Sequence, residues 1–233
     1  MMEAFSLTAL EAEALRLSLW VSGWAVIGSL PAGIGVAWVL ARLKFPGKVL
    51  LDGLVHLPLV LPPVVTGYTL LVLMGKNGPL GSLLQNTIGL SFSFNWKGAA
   101  LASALMAFPL LVRAVRLSIE AVDQGLEAAA RTLGARPLRV FFTVTLPLIM
   151  PGVLAGVILC FARSLGEFGA TITFVSNIPG QTRTLPLALY TLTQVPSGEA
   201  AALRLCSISV VLALLALVAS ELLARHLDRR LKG

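Results

Sequence analysis

Long apolar runs, separated by short polar and basic stretches, dominate the chain. Leu17 to Ala41 carries no charge. A helix needs roughly 20 apolar residues to cross a bilayer core, so this run is long enough to span. Leu54 to Met74 is a second such run, interrupted only by His56. Gly98 to Val112 is charge-free but short. It reaches span length by including Arg113 and Arg116, whose long side chains can reach the interface at a helix end. Val140 to Ala162 is a fourth run, and Leu205 to Ser220, extended at both ends by residues 200–204 and 221–224, is a fifth. The pattern predicts an all-α integral membrane protein with five transmembrane helices. Residues 166–195 are broken by Gly, Pro and polar positions. They predict a continued helix and then a short re-entrant or interfacial piece, because irregular backbone at membrane depth needs protein or a water-filled cavity around it. The stretch "GKNGPLGSLLQNTIGLSFSFNWK" reads as a turn-rich external loop.

Composition agrees with lipid as the solvent. Of the 233 residues 57% are hydrophobic and 12% charged, against about 25% charged in a soluble domain. The net charge of +7 is explained by where the charges sit. Arg42, Lys44, Lys48, Arg113, Arg116, Arg131, Arg136, Arg139, Arg225, Arg229, Arg230 and Lys232 fall at one set of span ends, which makes 12 of the 18 basic residues. Arg16, Lys76, Lys97, Arg163, Arg183 and Arg204 are the remaining 6. The richer side is expected to be cytoplasmic. That places the N-terminus outside, the C-terminus inside and residues 120–139 in the cytoplasm, with no call for nucleic acid. The N-terminus carries Glu3, Glu11 and Glu13 instead of the cationic region of a signal peptide.

Little catalytic chemistry is visible. Cys160 and Cys206 lie in apolar runs without a CxxC pattern, so no metal site is expected. His56 and His226 are isolated. No HExxH, Ser/His/Asp set or P-loop occurs. The chain is therefore not expected to be an enzyme, nor to bind ATP or another cofactor itself.

The segment "EAAARTLGARPLRVFFTVTLPLIMPG", residues 127–152, carries the sharpest local pattern. Leu126, Ala129, Ala130 and Leu133 recur at helical spacing and form one apolar stripe. Glu127 precedes Arg131 by four residues, the favourable order. Asp123 can cap the helix start, Gly134 can end it with a positive φ, and Pro137 lies just beyond. The helix is too short to span. Either it lies on the membrane as an amphipathic loop helix, or it offers its small-residue face to a groove on a partner.

This segment resembles the "EAA" loop of binding-protein-dependent ABC transporter permeases. The family pattern runs Glu-Ala-Ala, three residues, Gly, nine residues, then Ile-x-Leu-Pro. Here Gly134 is followed by nine residues and then Val144-Thr145-Leu146-Pro147. One departure stands out: the family's Glu position falls on Ala128, and Glu127 is displaced by one. Together with "FPGKVLLDGLVHLPLVLPPVVTGYTLLVLMG" and "FARSLGEFGATITFVSNIPG", the chain is similar to molybdate permease subunits, with sulfate permeases as near relatives. The resemblance implies an ABC type I importer fold over residues 11–225, with the cytoplasmic coupling loop at 120–139. It also implies a homodimer in the bacterial cytoplasmic (inner) membrane, two cytoplasmic ABC ATPase subunits that hold the ATP, and an external oxyanion-binding protein in which anion selectivity largely resides. Residues implied in ATPase coupling are Leu126, Glu127, Ala128, Ala129, Ala130, Arg131, Thr132, Leu133, Gly134, Ala135 and Arg136. The implied cargo is molybdate, with tungstate and sulfate or thiosulfate as alternatives.

Pathway candidates are Pro62, Pro63, Thr66, Arg163, Ser164, Glu167 and Thr171. The prolines free backbone carbonyls inside a span, and serve either as a kink or, with Thr66, as a pathway lining. Arg163 and Glu167 stand four apart. They either neutralise each other within the bundle, or Arg163 adds positive potential to an anion route. Two other classes remain in view. A polytopic enzyme acting on lipids would need clustered acids or histidines, and a stand-alone carrier would not need a docking helix.

Overall fold

The computed structural model describes residues 8–196 and 198–232, with side chains described as far as Ala219 and at Leu222. Glu3 lies outside this description, as do the side chains of Arg225, His226, Arg229, Arg230 and Lys232. Every element among the described residues is helical. The chain runs through α1 (Ala9–Arg42), α2 (Lys48–Val60), α3 (Pro63–Met74), α4 (Pro79–Ile88), α5 (Trp96–Ala121), α6 (Gln124–Thr132) and α7 (Pro137–Val140). A π-helical turn (Phe141–Thr145) then leads into α8 (Leu146–Leu165), α9 (Gly169–Val175), α10 (Leu185–Thr193) and α11 (Glu199–Lys232).

Among the described residues, four stretches are long and apolar enough to cross a bilayer: 9–42, 96–121, 137–165 and 199–219. The bent pair α2–α3 makes a fifth crossing if it is one span. These match the five apolar runs, with one correction. The run from Leu54 to Met74 is not one straight helix, because its axis turns by 112° between α2 and α3. The cause is local. A residue preceding proline is pushed towards extended ψ, and Leu61 and Pro62 both precede one. Their ψ values are 141° and 133°, so the helix stops, and Pro63 restarts it at a first-turn position where a missing N–H does no harm. A second correction concerns the loop from Gly75 to Lys97, which is not all turns: its residues 79–88 form α4.

The centre is built by α1, α5 and α8. Ala37, Leu40, Leu111, Val115, Ile149 and Val153 form one buried cluster. Phe174 and Val175 of α9 close a second cluster with Val21, Leu70, Ala102 and Met106. A third, of Ala14, Leu185, Ala188 and Leu205, joins α1, α10 and α11. Two polar ties reinforce that last junction. Ser18 Oγ accepts a hydrogen bond from the Leu185 N–H at 2.7 Å, and Arg204 Nε donates to Glu11 Oε1 at 2.8 Å. Glu11 also completes a capping box with Thr8 at the start of α1. Much of α11 faces outward, with Val210, Val211, Leu214 and Leu215 exposed as lipid-facing residues would be.

Residues 166–195 hold two short helices, α9 and α10, neither of span length. The α9 segment crosses α3 at close range because glycines stand at the contact. A Cβ at Gly67 would lie 2.5 Å from the Ala170 carbonyl oxygen, and one at Gly169 would lie 2.7 Å from Pro63 Cβ. Gly67→Val is expected to force the two helices apart and to destabilise the protein by about 1–3 kcal/mol, the usual range for overpacking. A lowered midpoint of thermal unfolding in detergent checks this, and an unchanged midpoint would refute the close crossing.

Candidate functional site

The helix α6 is assembled as its sequence dictates. Asp123 Oδ1 accepts from the Gly125 N–H at 2.8 Å and caps the start. At the other end Gly134 has φ +84°. The Gly134 N–H reaches the Arg131 carbonyl at 2.9 Å, and the Ala135 N–H reaches that of Ala130 at 3.2 Å. That pair of bonds is the glycine-dependent helix stop known as the Schellman motif. Pro137 then opens the next helix at its first-turn position.

The apolar stripe lies uncovered. Leu126 is 50% exposed and Leu133 88%. Ala128, Ala129, Thr132 and Arg136 are exposed, while Ala130 and Ala135 are half-buried. Glu127 is the one buried residue of α6. Its Oε1 accepts from Arg42 Nη2 at 3.0 Å and from Thr145 Oγ1 at 2.9 Å. Its Oε2 lies 3.6 Å from Arg131 Nη2, whose side chain is 59% exposed. Sequence reasoning paired Glu127 with Arg131. The structure makes Arg42, 85 positions away, the nearer partner, and periodicity within the loop could not reveal it. A cavity of about 870 Å³ opens beside this junction, lined among others by Trp38, Arg42, Leu138 and Phe141.

The same end of the bundle carries a second ionic group that sequence reasoning missed. Arg116 donates to Asp52 at 3.1 Å and to Glu120 at 2.8 Å. It thereby joins α2 to α5. The Glu120 contact follows helical spacing and was within reach of pattern reading, whereas Asp52 was not.

At the opposite end of α8, Arg163 Nη1 lies 2.8 Å from Glu167 Oε2. The carboxylate side chain is 1% exposed and the guanidinium 29%. Glu167 Oε1 also accepts from the Ala170 N–H at 2.8 Å, so the acid holds the chain turn between α8 and α9. Thr171 is fully buried, and its hydroxyl donates to the Phe168 carbonyl at 2.8 Å. It is thus committed to the backbone. Thr66 and Ser164 are also buried, but each hydroxyl lacks a hydrogen-bond partner among the described residues. The α3–α9 crossing sets Pro63 directly against Gly169, so the α3 candidates and the Glu167 turn share one region. Pro62 sits exposed at the α2–α3 bend.

Comparison with known proteins places this geometry in a class. Residues 29–233 match the family described as "Binding-protein-dependent transport system inner membrane component". The chain belongs to that family. Among its relatives is the molybdenum transport system permease protein ModB of Escherichia coli (strain K12), 62% identical over 94% of this chain and 96% of that protein. The protein of the same name from Haemophilus influenzae is 58% identical over 95% of this chain and 97% of its own. The sulfate transport system permease protein CysW of Synechococcus elongatus is 40% identical over 85% and 70%. Among solved structures, a bacterial ABC transporter involved in import of the acidic polysaccharide alginate aligns with TM-score 0.70 at 18% identity, covering 97% of this chain and 82% of that one. An amino acid ABC transporter aligns with TM-score 0.64 at 20% identity, covering 93% and 94%. These structures share the ABC importer transmembrane fold.

The Arg163–Glu167 pair is expected to behave as a unit. Removing one partner of a buried ion pair typically costs about 3–5 kcal/mol, because the other charge is left unpaired. Glu167→Gln and Arg163→Gln should each lower thermal stability in detergent. The double variant should be milder than the worse single one. Two single variants with parental stability would place the pair in free solvent contact.

Proposed function

We propose that this chain is the permease subunit of an ATP-driven importer that carries molybdate across the bacterial cytoplasmic membrane. The observation that carries the reading is the 62% identity, along nearly the full length of both chains, to a molybdenum transport permease. The lower 40% identity to a sulfate permease makes sulfate the weaker alternative.

The uncovered face of α6 supports a docking role. No residue of that helix but Glu127 is buried, so α6 offers Leu126, Ala129, Ala130 and Leu133 to a partner groove. With no P-loop in the chain, ATP is hydrolysed by separate subunits, and the force of hydrolysis crosses this contact. The basic span ends, with α6, then lie in the cytoplasm. An external binding protein delivers the anion to the other side and sets most of the selectivity. Two copies pair in the membrane, with the exposed Val60, Val64 and Tyr68 on α2 and α3 as the face offered. Thr66 and Ser164, whose buried hydroxyls lack a partner among the described residues, and Arg163 are the candidate donors to the anion. Shallow binding there suits transport, since a deep well would trap the anion.

Uptake of molybdate into vesicles holding the permease, its ATPase and the binding protein is the deciding experiment. Molybdate uptake that sulfate does not compete supports the reading, and sulfate uptake in its place refutes the cargo. Gly134→Val should abolish uptake because a β-branched residue resists a φ of +84°. Ala130→Trp should do the same by overfilling the docking face. Co-purification of the ATPase should fall with both. A reporter fused after Gly233 should be cytoplasmic and one inserted near Gly78 external, and finding both on one side would overturn the five-span topology.

A further inference from the structure

Nearly all of α6 is held away from the spans rather than packed on them. Leu126, Ala128 and Ala129 are exposed, residues of α6 and of the end of α1 line a shared cavity of about 870 Å³, and the one buried side chain of α6 is an acid. The carboxylate divides its two oxygens between two tasks. Oε1 takes Arg42 Nη2 at 3.0 Å and Thr145 Oγ1 at 2.9 Å. Oε2 stays near Arg131 of its own helix at 3.6 Å.

Each outward partner sits at a mechanically distinctive place. Arg42 is the last residue of α1, the 34-residue first span. Its side chain is 10% exposed, so it is committed to this junction and not to water. Thr145 is the last residue of the π-helical turn. In that turn the Leu146 N–H bonds back to the Phe141 carbonyl, five residues away. The wide turn precedes Pro147, whose ring would press on the Thr143 carbonyl in a regular helix. Such single π-turns inside helices are rare and fall frequently at functional sites.

We infer that Glu127 is a latch that fastens the docking helix to two spans at once, to α1 through Arg42 and to α8 through Thr145, so that displacement of α6 by a partner turns both. Glu127, Arg42 and Thr145 are positioning residues; none need touch the cargo or the ATPase. The inference rests on the docking role of α6 proposed above. It also assigns Glu127 a duty separate from the outward stripe. An apolar anchor would let α6 slide, whereas a carboxylate oxygen held by a guanidinium and a hydroxyl from two other elements fixes both distance and direction.

The test is the number of anions imported per ATP hydrolysed by the reconstituted permease, ATPase and binding protein. Coupling energies between sites typically correspond to 5–150-fold effects, and Glu127→Gln is expected to lower this ratio by about tenfold. Thr145→Val leaves the ion pair in place and should lower it by about threefold. The exchange Arg42→Glu with Glu127→Arg should recover part of the ratio lost by Glu127→Gln. A merely structural role would lower the amount of assembled transporter and leave the ratio at its parental value, and that outcome overturns the latch. Failure of the parental chain to co-purify with the ATPase would overturn the docking reading instead, so the two failures are distinguishable.

Discussion

A backbone N–H or carbonyl inside a bilayer has no water to bind, and each unsatisfied group costs several kcal/mol. That constraint fixes the architecture of this protein. It forces each crossing into a helix, and it makes each proline an event. Pro62 and Pro63 end one helix and begin another, turning the axis by 112°. Pro147 follows a widened turn. Pro31, Pro109 and Pro151 stay inside long helices, where packing of α1, α5 and α8 against one another tolerates the missing bonds. The breaks in helicity therefore fall where the chain changes direction or meets another element.

The same low-dielectric setting governs the charges. Among the described residues, buried acids appear only with partners: Glu11 with Arg204, Glu127 with Arg42 and Thr145, Glu167 with Arg163 and the Ala170 amide. The first two stitch together elements distant in sequence, and the third fixes the turn between α8 and α9. Hydrophobic burial decides which faces of the helices meet, and the ion pairs decide at what height and angle.

How much of this was legible in the sequence follows from what kind of signal each feature leaves. The spans were visible because about 20 consecutive apolar residues is a local property. So were the ends of α6, since Asp123, Gly134 and Pro137 act on their own neighbours. The bend at Leu61 was half visible: the prolines marked a kink, but nothing in the run gave its angle. α4 was hidden because Gly and Pro at its ends outweighed a ten-residue helix. The pairing of Glu127 with Arg42 and of Asp52 with Arg116 could not be read, because a contact across 85 or 64 positions leaves no periodic trace in a single sequence. Thr171 was a plausible pathway hydroxyl by its position, and only the hydrogen bond to Phe168 reveals its commitment to the backbone.

The tie between Glu11 and Arg204 has a consequence in time. The two residues are separated by 193 positions, so a ribosome making 5–20 residues per second, roughly the usual rate, leaves the first helix waiting about ten seconds or more for its cation. The contacts of Glu11 that do not depend on Arg204 are its local capping bonds with Thr8. The arrival of α11 then allows Glu11 to be buried beneath Arg204. The contact between α1 and α11 made through this pair can form only after the chain as far as Arg204 has been made.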